Sequence, residues 1–259
     1  YDPMELSKAI LTAHASQLLE EFHNKQGKVI FLAPFIGIRE GRRIIAENVI
    51  TMENILNGNL DKDALFYAYA DFDKHGKDNA LETEILQDWY VASNLSTACV
   101  SVPISIRTMI PKGYDSIIVS GRHLGVDHDT ASLVRMKRDM HKCGESAGVC
   151  AALAVKKGIQ LKELPYDEVK DILEKTGCLN EAHNVGIMFD DNFRRMKIRW
   201  LTDPDEIKRE LSSDMPGIAI YSCKILGDKI TKHLREWLST DDQMLINNSA
   251  IALGLIGDK

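Results

Sequence analysis

The sequence predicts an α+β front part followed by an all-α segment, and three observations carry that prediction. Short β-branched runs such as KVIFL and SIIVS sit between helical patterns in the first two thirds of the chain. One long helix, in HKCGESAGVCAALAVKKG (residues 141–158), is built largely of Gly, Ala and Ser. After Pro165 the chain is helix-rich, has few β-branched runs and contains a self-similar pair of segments.

Composition bounds the reading. The chain has 259 residues, 44% hydrophobic and 27% charged, which suits a globular protein with one large or two medium cores. Its net charge of -6, with Lys and Arg dispersed among Asp and Glu, leaves no broad basic surface for nucleic acid or an anionic membrane. Apolar runs fall short of the roughly 20 residues that span a bilayer, and YDPMELSKAI holds neither an initiator Met nor a leader's apolar stretch. We read it as a piece of a longer chain. Five widely spaced cysteines, an odd number, read as buried thiols of a reducing, cytoplasm-like compartment rather than as disulfides or a zinc site.

The elements follow in order. Leu6, Ile10, Leu11, Leu18, Leu19 and Phe22 recur at helical spacing, predicting a helix over residues 4–23 that stops at NKQGK. Residues 28–40, KVIFLAPFIGIRE, read as a strand entering a tight connection. Thr51 and Asn54 flank MENIL with capping residues and Gly58 ends it, so a short helix starts near Thr51. Residues 60–100 carry no clear period. Residues 96–106 alternate loosely around Pro103 and predict an edge or interrupted strand, whereas SIIVS after Pro-Lys-Gly predicts a buried strand ending at Gly121. The small-residue helix follows, expected to be buried on both sides and closed by Lys156, Lys157 and Gly158.

In the tail, LSSDMPGIAIYSCKILGDK and LSTDDQMLINNSAIALGLIGDK repeat, with Leu211 and Leu238 27 residues apart and Gly227 and Gly257 30 apart. This period resembles HEAT-type repeats. It predicts antiparallel helix pairs from about residue 183, with Ile225, Leu226, Leu253 and Ile256 inward, and a truncated array. Two domains are therefore expected, residues 1–180 and 181–259.

Several segments could carry chemistry. DFDKHGKDNALE places Asp71, Asp73, Gly76 and Glu82 at calcium-loop positions, but His75 stands at position 5 and Asp78 at the normally apolar position 8. A solvated acidic loop is the better reading, and no metal is expected. IREGRRI crowds Arg39, Arg42 and Arg43 into one turn; either Glu40 and Glu47 neutralise them or an anionic ligand does. GRHLGVDHD follows the expected strand end, where α/β proteins bind ligands.

Taken in order, IREGRRI, DFDKHG, SVPISIRTMIPKG, IIVSGRHLGVDHD, a lone Arg135 and GESAGVCAALAVKKG form a series. Over roughly residues 5 to 178 it resembles the C-terminal portion of a family of FAD-dependent oxidoreductases. The resemblance implies the C-terminal half of a flavin-binding fold, with FAD as cofactor. An upstream half would supply the ADP-binding Gly-rich turn, since no G-x-G-x-x-G occurs in this chain. It also implies that Gly121, Arg122, Asp127 and His128 approach the flavin ring or ribityl chain. Gly144, Glu145, Ser146 and Ala147 would offer N–H groups to its pyrimidine edge. Arg39, Arg42 and His75 become the catalytic candidates facing a small-molecule substrate. Arg138 and Met140 stand where the family tends to have Pro and Cys, and Ser146 replaces an Ala, which leaves the substrate open. The alternative is a non-catalytic interaction module whose repeat-like tail binds a protein partner.

Overall fold

The computed structural model describes residues 3–16, 40–72, 83–190 and 195–257. Helix α1, Pro3–Ser16, lies in a unit of its own, with an exposed Lys8–Glu5 pair at 3.2 Å. The expected strand at 28–40 falls almost wholly outside the described residues, as does the end of the first helix.

In the second unit, four antiparallel strands form one sheet in chain order: β1 (Ala64–Asp71), β2 (Ala98–Ser105), β3 (Ile187–Asp190) and β4 (Arg195–Lys197). Strand β1, ALFYAYAD, is buried on both faces for most of its length, so it lacks the two-residue polar alternation by which a half-exposed strand is found. Pro103 sits opposite Tyr67, beyond residues 98–100 where β3 pairs with β2. There β2 has β1 as its only strand neighbour among the described residues, where a missing N–H does least harm.

The short helix α2 (Met52–Leu56) starts as expected, with a reciprocal capping box between Thr51 and Asn54. SIIVS is a correction: residues 116–120 form no strand. Val119 N donates to Met109 O, but no strand runs alongside among the described residues, and Ile117 is exposed.

Further on come α3 (Glu84–Gln87) with a π-helical turn, the one-turn α4 (His128–Ala131), α5 (Lys137–Lys157) and α6 (Tyr166–Thr176). Gly158 closes α5 in the left-handed region at φ 66°, with Lys156 and Lys157 at its negative end. The expectation that α5 is buried on both sides is corrected. Cys143, Ser146, Ala147, Cys150 and Ala154 form the buried stripe against the sheet, while Gly144, Gly148, Ala152 and Val155 are exposed. Small inner side chains let the helix approach β1 closely.

The tail is helical from Pro204 on: α7 (Pro204–Leu211), α8 (Gly217–Leu226), α9 (Asp228–Trp237) and α10 (Gln243–Ile256). Residues 187–197, expected as helix, instead complete the sheet. The tail has its own core around Ile207, Leu211, Ile220, Leu234 and Leu253. Leu226 and Ile256 pack at its margin, but Ile225 turns to solvent, because α8 and α10 share only one stripe each. Trp89, Trp200 and Tyr221, with ring centroids 5.1 to 6.1 Å apart, and the Lys224–Asp88 ion pair join this core to the sheet. Gly217 makes the closest crossing: a Cβ there would lie 1.9 Å from Ser93 O.

Candidate functional site

The segment 121–136 connects the end of the irregular SIIVS run to α5, and its backbone is tied down from both sides. Ile44 N donates to His123 O, Ile50 N to Gly125 O, Asp127 N to Ile50 O and Gly125 N to Thr108 O, all at 2.9 to 3.0 Å. Gly125 is required there, since a Cβ would come within 2.2 Å of the Ala46 Cβ. Asp127 then spends both carboxylate oxygens on backbone: Oδ1 accepts from Thr130 N at 2.7 Å, capping α4, and Oδ2 accepts from Met52 N at 3.1 Å.

Glu40 is the hub of the charged groups. Its Oε1 takes His128 Nδ1 at 2.5 Å and Arg43 Nη1 at 2.9 Å, and Oε2 lies 3.9 Å from Arg135 Nη1. Arg135 is itself 8% exposed, whereas Glu40, Arg43 and His128 keep part of their side chains in solvent. The arginine-rich segment thus finds an internal anion in Glu40. Glu47 serves elsewhere, held below the usual carboxylate range by Lys162 at 2.8 Å and by the Gly113 N–H. Arg42 is exposed; Arg39 and His75 lie outside the described residues.

At the other end, the Gly121–Arg122 turn meets α5. Gly121, at φ 119°, donates its N–H to Cys143 Sγ at 3.4 Å, and Ser120 Oγ is the atom nearest a Cβ built on Gly144, at 3.7 Å. Burial pushes the Cys143 thiol pKa up, which keeps it a neutral acceptor. Gly148, one turn further on, has nothing within 4 Å of a Cβ position. The turn and the glycines Gly144 and Gly148 of α5 therefore form a short open strip without side chains of its own, beside exposed Arg122 and His123.

Two expectations need correction. Helix α5 begins at Lys137, not near His141, so residues 144–147 lie two turns inside it and their N–H groups are engaged in the helix. The positive end is at Met136, which makes no side-chain cap. Ser146 and Ala147 turn inward, Ser146 Oγ lying 3.5 Å from Cys178 Sγ, while Gly144 and Glu145 face out. Glu40 neutralises Arg43 as one of the two sequence readings had it, whereas Glu47 pairs with Lys162; what the sequence missed is that His128 and Arg135 converge on Glu40 as well.

A mixed α+β fold, a glycine turn packed on a long helix and a bare outer strip define a domain that can present a flat cofactor face. The family model of FAD dependent oxidoreductases matches residues 6–173, more than half of the chain, and the chain belongs to that family. Its cofactor is FAD. No curated protein and no solved structure matches the chain. The residues present fit the flavin end of such a cofactor, because at Gly148, and nearly so at Gly144, a ligand atom can occupy the space a Cβ would fill. Among the described residues, no three His, Cys, Asp or Glu side chains gather as a metal site, and no helix is long and apolar enough to cross a membrane.

Proposed function

We propose that the strip running from Gly121 and Arg122 along Gly144 and Gly148 is the flavin-facing surface of a redox enzyme acting on a small molecule. The observation that carries this reading is the pair of open glycines on a helix whose opposite stripe is packed. Glycine in a helix interior costs about 0.8–1 kcal/mol relative to alanine, so two on one outer face need a reason outside the helix. FAD, when bound, accepts or donates a hydride. Arg122 and the helix start at Met136 supply positive potential to hold negative charge beside the strip. His128 is held against Glu40 through Nδ1, which fixes the orientation of its ring. Asp127 positions that histidine through its backbone bonds, and Glu145 sits at the rim. Arg39, Arg42 and His75 remain the proposed substrate-side groups.

We further read residues 1–180 as the C-terminal half of the flavin-binding unit, with an upstream half carrying the phosphate-binding turn. Of the segment 181–259, the helical part from Pro204 to Ile256 is read as HEAT-like repeats, since α8 and α10, the apolar ends of the two repeats, pack on each other, whereas residues 187–197 belong to the sheet. A partner-binding tail is the second reading, favoured by Ile225, Leu238, Met244 and Ile251, which are exposed on it.

The test is flavin retention in a chain extended upstream to include a Gly-rich half, followed by flavin absorbance and fluorescence. Stoichiometric FAD is expected there and weak binding by residues 1–259 alone. Gly148→Leu should shed flavin while leaving the melting temperature nearly unchanged, and Lys157→Leu should change neither. Equal flavin content in Gly148→Leu and the parent would refute the strip as the flavin surface.

A further inference from the structure

We infer that a second pocket, between β1, α5 and the segment after α6, binds a small organic carboxylate through the Arg138 guanidinium and the Lys142 ammonium. The proposal does not rest on the flavin reading.

The cavity measures ≈ 200 Å³. It is smaller than the roughly 300 Å³ at which pockets for drug-sized ligands begin, so its occupant is small. Arg138 and Lys142 are four residues apart on α5, which puts both heads on one side of the helix. Tyr67 and Tyr69, two apart on β1, project from one face of the sheet toward the same space. The Arg138 guanidinium lies over the Tyr69 ring, 5.6 Å from its centroid. Its Nε donates to Asp139 Oδ1 at 3.2 Å, and the Nη1 and Nη2 edge is left as a fork suited to a second carboxylate.

Lys142 Nζ donates to Tyr67 O at 3.3 Å and lies 3.2 Å from His183 Nδ1. An ammonium has three N–H donors, so one remains for a ligand. Burial, then the positive charges of Lys142 and Arg138, lower the His183 pKa against the opposing pull of Asp139; the ring is neutral at pH 7 and accepts from Lys142. Arg195 adds a third cationic side chain to the lining. The nearby acids are already engaged, Asp139 with Arg138 and Tyr69 N, and Glu181 with the Tyr67 hydroxyl at 2.9 Å. Ala182, Val185 and the tyrosine rings make the remaining wall apolar. Donors on one side and an apolar wall on the other suit a carboxylate with a short hydrocarbon or aryl body. Phosphate, which needs donors all round, suits it poorly.

The experiment titrates the 259-residue chain with benzoate, acetate, benzamide and inorganic phosphate, following binding by calorimetry and the His183 ring protons by NMR. Benzoate should bind saturably, with benzamide and phosphate at least tenfold weaker. Arg138→Gln should weaken benzoate at least tenfold while keeping the parent's far-UV dichroism below its own melting temperature, which falls somewhat because the buried Asp139 loses its charged partner. In the unaltered chain, bound benzoate should also raise the His183 titration midpoint by partly cancelling Lys142 and Arg138. The proposal is overturned if neither carboxylate binds saturably, if benzamide or phosphate matches benzoate, if Arg138→Gln binds as the parent does, or if the His183 midpoint stays put under saturating benzoate.

Discussion

The sheet-and-α5 region and the helical tail bury their polar groups very differently. Among the described residues, every buried charged side chain, Asp88, Asp129, Arg135 and Asp139, lies before the tail, whereas the tail buries only Ser222 and Ser249. Ser222 is satisfied locally, donating to Ile218 O and accepting from Leu201 N. A desolvated charge is costly unless paired, so a region that keeps several does so against its own stability. The front is organised around holding charged groups in place and the tail around burying apolar area, which is why both pockets with chemistry in them belong to the front.

The largest effect that would probe this contrast is a cavity in the tail. Leu234→Ala, at a fully buried position, should cost about 2–5 kcal/mol. Because Trp89, Trp200 and Tyr221 and the Lys224–Asp88 pair tie the two regions, far-UV dichroism and tryptophan fluorescence should report one shared transition moved to lower temperature. Two separated transitions would make the regions independent. Next in size, Gly217→Ala should cost about 1–3 kcal/mol by forcing α8 away from Ser93 O. Gly254→Ala in α10, where a Cβ meets nothing, should gain up to about 1 kcal/mol; thermal melts of both variants check the pair.

A smaller effect distinguishes the front by its response to pH. Burial raises the Asp139 pKa above its ordinary 3.8, with Arg138 the leading opposing influence. Between that value and the raised one the folded state holds more protons than the unfolded state. The contribution of Asp139 is therefore greatest in acid and declines as pH rises through this window. Asp139→Asn should lack this decline, seen as a difference in melting temperature between variant and parent that changes from pH 4 upward and then levels off. A constant difference would mean Asp139 is charged throughout. Smallest is thiol reactivity: Cys150 and Cys223, pushed up to about 12 by burial, and Cys143 and Cys178, also raised, should resist a disulfide reagent at pH 8. Cys99, partly exposed on β2, should react first, and all five should react in denaturant.

Much of this was legible from residue order. The capping box at Thr51, the Ala-rich helix with its Lys-Lys-Gly end and the tail helices were read from local signals, because capping and 3.6-residue periodicity act within a few neighbours. The motif series also led to FAD, which the family match supports. What local signals missed has a common cause. Strand β1 shows no alternation because both its faces are covered, and SIIVS looks like a strand yet pairs with no strand among the described residues. Strands β3 and β4 are short segments that become strands only where β3 pairs with β2 and β4 with β3.

The sequence by itself determined the capped start of α2, the Lys-Lys-Gly end of α5, which side chains are small, and the class of cofactor. Only the tertiary structure decided which side of α5 is inner and which open, that Glu40 gathers His128, Arg43 and Arg135, and that Arg138 and Lys142 share a pocket with Tyr67, Tyr69 and His183. The physical reason is separation along the chain. Glu40 and His128, or Tyr67 and His183, lie far apart in the chain and meet only through the tertiary fold, and no local propensity encodes a partner that distant.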